Sequence, residues 1–114
     1  MSDFVMARGG AETLKIVHKT EDESCITFLL ENEDHTLGNA LRYMVMKNPA
    51  VQFCGYAIPH PSERTIHLRI QIKEGQGSAV NALEKGLQDL RDLFEAVHAT
   101  FEETVAAYKE TMPA

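Results

Sequence analysis

The stretch SCITFLLENEDHTLGNALRYMVMKN, from Ser24 to Asn48, changes its hydrophobic period partway along. From Ser24 to Glu31 the residues alternate, with Ile26, Phe28 and Leu30 on one face and Cys25, Thr27 and Leu29 on the other, which is the period of a β-strand. The strand is predicted to lie centrally in its sheet. After Glu31-Asn32-Glu33-Asp34 the period becomes helical, with Leu37, Leu41, Met44 and Val45 on one side and Ala40 between them. Thr36 is the expected N-cap. Pro49 forces an end near Asn48, since a residue before proline is pushed out of the α region, and Lys47 suits the negative end of the helix dipole.

On the N-terminal side, Leu14, Ile16 and Val17 begin a short strand that ends in the charged turn Lys19-Thr20-Glu21-Asp22-Glu23, so the first two strands form a hairpin. Residues 1–11 are small and polar around Gly9-Gly10, show no periodicity, and are expected to form a flexible tail; residues 12–114 are expected to form one domain. On the C-terminal side, Val51 to Ile58 and Thr65 to Lys73 read as a second hairpin across Pro59-His60-Pro61-Ser62-Glu63-Arg64. Ile66, Leu68, Ile70 and Ile72 alternate with Thr65, His67, Arg69, Gln71 and Lys73, so one sheet face meets water and the other needs a cover. The predicted fold class is α+β: two layers, a four-stranded mainly antiparallel sheet with two helices on one face, in the order β-β-α-β-β-α.

The second helix begins at Ser78, behind Gly75-Gln76-Gly77, and must have ended by Pro113. Val80, Leu87, Phe94, Phe101 and Tyr108 recur every seven residues, and Leu83, Leu90, Val97 and Thr104 fill the alternate positions, Thr104 alone breaking the apolar seam. At 1.5 Å per residue, Val80 to Tyr108 covers about 42 Å, against about 30 Å for a domain of this size and about 26 Å for its strands. Part of the seam must overhang. A row of Phe94, Phe101 and Tyr108 left in water is an adhesive patch and implies a partner helix or subunit.

Composition narrows the function classes. With 114 residues the chain holds one domain, and 44% hydrophobic with 25% charged residues is a globular mixture. A net charge of −6, with its 11 basic residues scattered, argues against a nucleic-acid-binding surface. Cys25 and Cys54 lack zinc or disulfide spacing and are expected to be buried free thiols. His18, His35, His60, His67 and His98 are dispersed, so no metal site is expected. Gly75-Gln76-Gly77-Ser78 lacks the lysine of a phosphate loop, and Glu31, Glu33 and Asp34 beside His35 read as a solvated turn with no nucleophile nearby. No catalytic residue and no cofactor are expected. Without a long apolar run, an intracellular, soluble protein with no membrane contact is expected.

The segment His35-Thr36-Leu37-Gly38-Asn39-Ala40-Leu41-Arg42 resembles the α motif of RNA polymerase subunits, which opens the first helix of the bacterial α subunit's dimerisation domain. Further similarity, through Tyr43-Met44, Lys47-Asn48-Pro49, Phe53-Cys54-Gly55-Tyr56 and Pro59-His60-Pro61-Ser62-Glu63, is to the small α-like subunit shared by RNA polymerases I and III, with the polymerase II counterpart as the nearest rival. The resemblance implies a non-catalytic assembly subunit in the nucleus, including the nucleolus. Its implied partners are a larger α-like subunit and, through that heterodimer, the second-largest polymerase subunit and other core subunits. A homodimeric interaction module and a small enzyme are the readings from other classes.

The implied interface draws on His35, Thr36, Leu37, Gly38, Asn39, Leu41, Arg42 and Met44 of the first helix, and on Val80, Leu83, Leu87, Leu90, Phe94, Val97, Phe101 and Tyr108 of the second. Within it, Gly38 permits close approach, Asn39 offers hydrogen bonds in two directions, and Arg42 is placed to meet an acidic group of another subunit. Tyr43 stands where the bacterial motif carries a second arginine, so that charge contact does not transfer.

Overall fold

The computed structural model describes Ala7–Arg8, Ala11–Glu12 and residues 14–113. Two short strands, β1 (Ala7–Arg8) and β2 (Ala11–Glu12), pair antiparallel with each other; the rest of the expected tail lies outside the described residues. The domain itself follows as β3 (Leu14–Lys19), β4 (Cys25–Glu31), α1 (His35–Met46), β5 (Val51–Ala57), β6 (Thr65–Ile72) and α2 (Ala79–Thr111). Strands β3 to β6 form one antiparallel sheet in the order β3-β4-β6-β5. The predicted two-layer architecture is the observed one, and β4 is an inner strand.

Alternation dictates which face is covered. Ile26, Phe28 and Leu30 of β4 lie beside Ile70, Leu68 and Ile66 of β6 in register, and all six are buried. They meet Leu41 and Val45 of α1 and Ala79, Ala82 and Leu83 of α2, so both helices cover the same face. Strand β5 departs from simple alternation. Its register shifts between Val51 and Phe53, and the bulge lets Val51 and Cys54, three residues apart, both reach the core.

Helix α1 starts two residues earlier than expected. Asp34, not Thr36, is the N-cap: its backbone is extended, and its carboxylate accepts from the Thr36 N–H at 3.0 Å. Thr36 already lies inside the first turn, where a hydroxyl cannot cap. Ser78 caps α2 by accepting from the Asn81 N–H at 3.2 Å. The two helices touch where α2 has no side chain: a Cβ on Gly86 would stand 2.5 Å from Val45 Cγ2.

Helix α2 has 33 residues, about 50 Å of length, and extends well past the sheet. Its buried residues are Ala79, Ala82, Leu83, Gly86 and Leu90, all within the first twelve. From Arg91 to Pro113 every residue is exposed except the half-buried Val105. The largest dimension of the molecule, 64 Å against 35 and 24 Å, reflects this projection.

Candidate partner interface

The start of α1 is fixed from three sides. The Asp34 carboxylate caps the helix and receives an ion pair from Arg64 at 3.3 Å, which ties α1 to the end of the β5–β6 loop. Hydrogen bonding to the Thr36 N–H, with the Arg64 charge as a smaller cause, holds the Asp34 pKa below its ordinary value. One residue on, His35 Nδ1 and the Tyr56 hydroxyl are 2.8 Å apart, and the two rings meet edge to face. Beneath that pair Gly38 is buried, because a Cβ there would lie 2.8 Å from the Tyr56 ring. The close approach expected at Gly38 is real, but its neighbour is an aromatic side chain of β5.

Between α1 and the middle of α2 runs an open apolar groove. His35, Thr36, Asn39 and Met44 line one wall, and Leu90, Leu93 and Phe94 line the other. Tyr43 also borders it, 54% exposed, with the Lys47 ammonium 4.6 Å from its ring centroid. A cation is therefore present beside Tyr43 after all, supplied four residues later by Lys47. Beyond the groove the surface continues along the overhang through Phe94, Val97, Phe101 and Tyr108, which are 56–64% exposed.

The sixteen residues expected at the interface thus divide. Leu41 and Leu83 are wholly buried, Leu90 is 6% exposed and Gly38 is buried, so these four build the core under the groove. Leu37, Val80 and Leu87 are partly buried and packed against that core. The reason is position: the first turns of α2 lie on the sheet and α1, so only the later turns of the seam have nothing beneath them. Arg42 is half-buried near Cys54, and among the described residues no carboxylate is paired with it. Burial pushes the Cys54 thiol up to about 12, the Arg42 charge opposing it. Cys25 is a free thiol only half-buried, against the expectation of burial, because it faces the outer side of β4.

Three features escaped sequence reading. Gly86 sits in phase with Leu83 and Leu90, and a glycine within an apolar stripe was the available signal of a helix crossing. Leu93, 44% exposed, widens the stripe beside Phe94. Finally, the apolar stripe does not keep to sevens. Thr104 turns its hydroxyl to the Thr100 carbonyl at 2.9 Å, while Val105 is the shielded residue. The stripe runs Leu90, Phe94, Val97, Phe101, Val105, Tyr108, Met112, with spacings of 4, 3, 4, 4, 3 and 4. That is an 11-residue recurrence, whose stripe drifts around the helix in the right-handed sense where sevens would wind it into a left-handed seam.

The sequence is 55% identical over 86 residues to "DNA-directed RNA polymerases I and III subunit RPAC2" of Saccharomyces cerevisiae, covering 75% of this chain and 60% of that protein. It is 52% identical over 89 residues to the protein of the same name in Danio rerio, covering 78% and 79%. The chain thus spans less than two thirds of the yeast relative's length. In fold it is similar to the crystal structure of DNA-directed RNA polymerase subunit L from Thermoplasma acidophilum, with a TM-score of 0.71 at 23% identity, over 89% of this chain and 96% of that one. The sequence also matches the RNA polymerase Rpb3/Rpb11 dimerisation domain over residues 25–100, from the start of β4 well into the overhanging part of α2. The chain therefore belongs to the family of the RNA polymerase Rpb3/Rpb11 dimerisation domain.

Proposed function

We propose that this protein is a non-catalytic assembly subunit of DNA-directed RNA polymerases I and III, acting in the nucleus and nucleolus. It pairs with a larger α-like subunit, and the heterodimer forms the platform on which the second-largest subunit and other core subunits assemble. The observation that carries this reading is the bare stripe on α2: Phe94, Val97, Phe101 and Tyr108 exposed in a row on a helix that projects past its own sheet. Its relatives' names supply the polymerase class.

The magnitudes favour an interface that includes α1. Burying four such side chains stabilises a complex by roughly 6 to 12 kcal/mol, whereas association costs about 4 to 15 kcal/mol in lost freedom and ordering. The stripe alone is marginal. Adding the groove walls, with exposed Tyr43 and Leu93 and half-buried Met44, supplies the remaining apolar surface. Arg42, half-buried and without a carboxylate partner among the described residues, is presented to an acidic group of a further subunit.

The test is co-expression of the Phe101→Asp variant with the larger α-like subunit of the same organism. Phe101 is 64% exposed, so the isolated variant keeps its fold while pairing is lost. Undiminished co-purification of the variant rules the reading out.

A further inference from the structure

The sheet face opposite the helices carries a second prepared surface, centred on Arg69. In register, Arg69 of β6 lies between Thr27 of β4 and Gly55 of β5. Because Gly55 has no side chain, the Phe53 ring folds over it: a Cβ on Gly55 would stand 2.8 Å from Phe53 Cζ. The ring is thereby laid beside the Arg69 guanidinium, 6.0 Å from centroid to Cζ, and remains 47% exposed. On the other side, Arg69 Nε donates to Cys25 Sγ at 3.4 Å, and its terminal nitrogen donates to Gln71 Oε1 at 3.2 Å. Gln71 is held in turn by Gln52 at 3.4 Å.

Among the described residues every partner of Arg69 is neutral: a ring, a thiol and an amide. In β4 and the turn before it, Asp22 is engaged with Thr20 and Ser24, Glu23 with Lys19, and Glu31 with Lys15. In a chain of net charge −6, a guanidinium held in place by three neutral groups and left without a counter-charge is prepared for an anion from outside. An exposed phenylalanine beside it adds an apolar contact.

We infer that the outer sheet face binds an acidic segment of another polypeptide, in which a carboxylate meets Arg69 and a neighbouring apolar side chain rests on Phe53. The spacing suits an extended peptide, whose side chains on one face recur about every 6.6 Å, close to the 6.0 Å between guanidinium and ring. Nucleic acid is disfavoured, since it needs several cations along a track, whereas among the described residues of this face Lys15 is paired with Glu31 and only Lys73, just past the end of β6, adds a fixed charge to that of Arg69. This surface faces away from the helices, so the inference does not depend on pairing through α2.

The test is selection from a displayed library of random nonapeptides by the wild-type chain in complex with its α-like partner, with Arg69→Gln and Phe53→Ala complexes selected in parallel. Wild type is expected to enrich sequences with an acidic residue two positions from an apolar one. Individual winners should bind at least tenfold more weakly to Arg69→Gln, and more weakly as salt rises. Phe53→Ala should keep the acidic preference and lose the apolar one. No enrichment over the Arg69→Gln background, enrichment without acidic residues, or tighter binding of a single-stranded RNA decamer than of any selected peptide overturns the inference.

Discussion

The Tyr56 ring lies across the α-carbon of Gly38, so near that a Cβ at position 38 would be 2.8 Å from Cδ2 and 2.9 Å from Cε2. This contact explains a glycine in the first turns of a helix, where alanine ordinarily stabilises by about 0.5 to 1 kcal/mol. Overpacking against the ring costs about 1 to 3 kcal/mol, so the clash wins. Gly38→Ala is expected to destabilise the chain in urea unfolding, and in a Tyr56→Ala background the same substitution is expected to stabilise it. A Gly38→Ala effect of the same sign in both backgrounds contradicts the contact.

The crossing of α1 and α2 at Gly86 sets a similar contest. Val45 Cγ2, 2.5 Å from where a Cβ would be, belongs to a stiff β-branched side chain that is wholly buried. Gly86→Ala is therefore expected to lose about 1 to 3 kcal/mol, despite alanine's better helix propensity. A more stable variant by thermal or urea unfolding would show that the helices do not meet there.

Asp34 gives the stability a defined pH dependence. Its folded pKa is depressed, mainly by the Thr36 N–H, so its contribution is present above its ordinary value of 3.8 and is lost as pH falls through the lower folded value. Asp34→Ala should be less stable than wild type at neutral pH, with the difference shrinking below pH 3.8. Urea unfolding at a series of pH values checks this; a deficit that persists unchanged into acid contradicts it.

The two thiols should separate in reactivity. Cys54 is 4% exposed and its pKa is pushed up to about 12, whereas Cys25 is half-buried on the outer sheet face. A thiol reagent at pH 8 is expected to label one cysteine in the native chain and the second only in denaturant. Mapping the native label to Cys54 would contradict the burial described.

Much of this structure was legible in the sequence because it is written in periods. The alternation of Ile66 to Ile72 and the switch at Glu31–His35 reflect which faces meet water, a local property of each element. The overhang followed from length, since a helix rises by a fixed step and the strands are short. What did not follow depends on contacts between elements. Thr36 and Asp34 are both capping residues, and only the backbone angle at Asp34 decides between them. The division of the seam at Leu90 depends on where the sheet ends beneath α2. The bulge in β5, which turns Val51 and Cys54 to the same side, has no periodic signature. Thr104 and Val105 are adjacent, and a heptad template chose the wrong one.

The central claim is that the distal α2 stripe and the α1–α2 groove are covered by a larger α-like subunit. Light scattering on the chain alone, and co-expressed with that subunit from the same organism, tests it most directly. A one-to-one complex is expected, with the lone chain folded but self-associating through the stripe left in water. A well-behaved monomer that ignores the larger subunit, or a stable homodimer that persists in its presence, would contradict it.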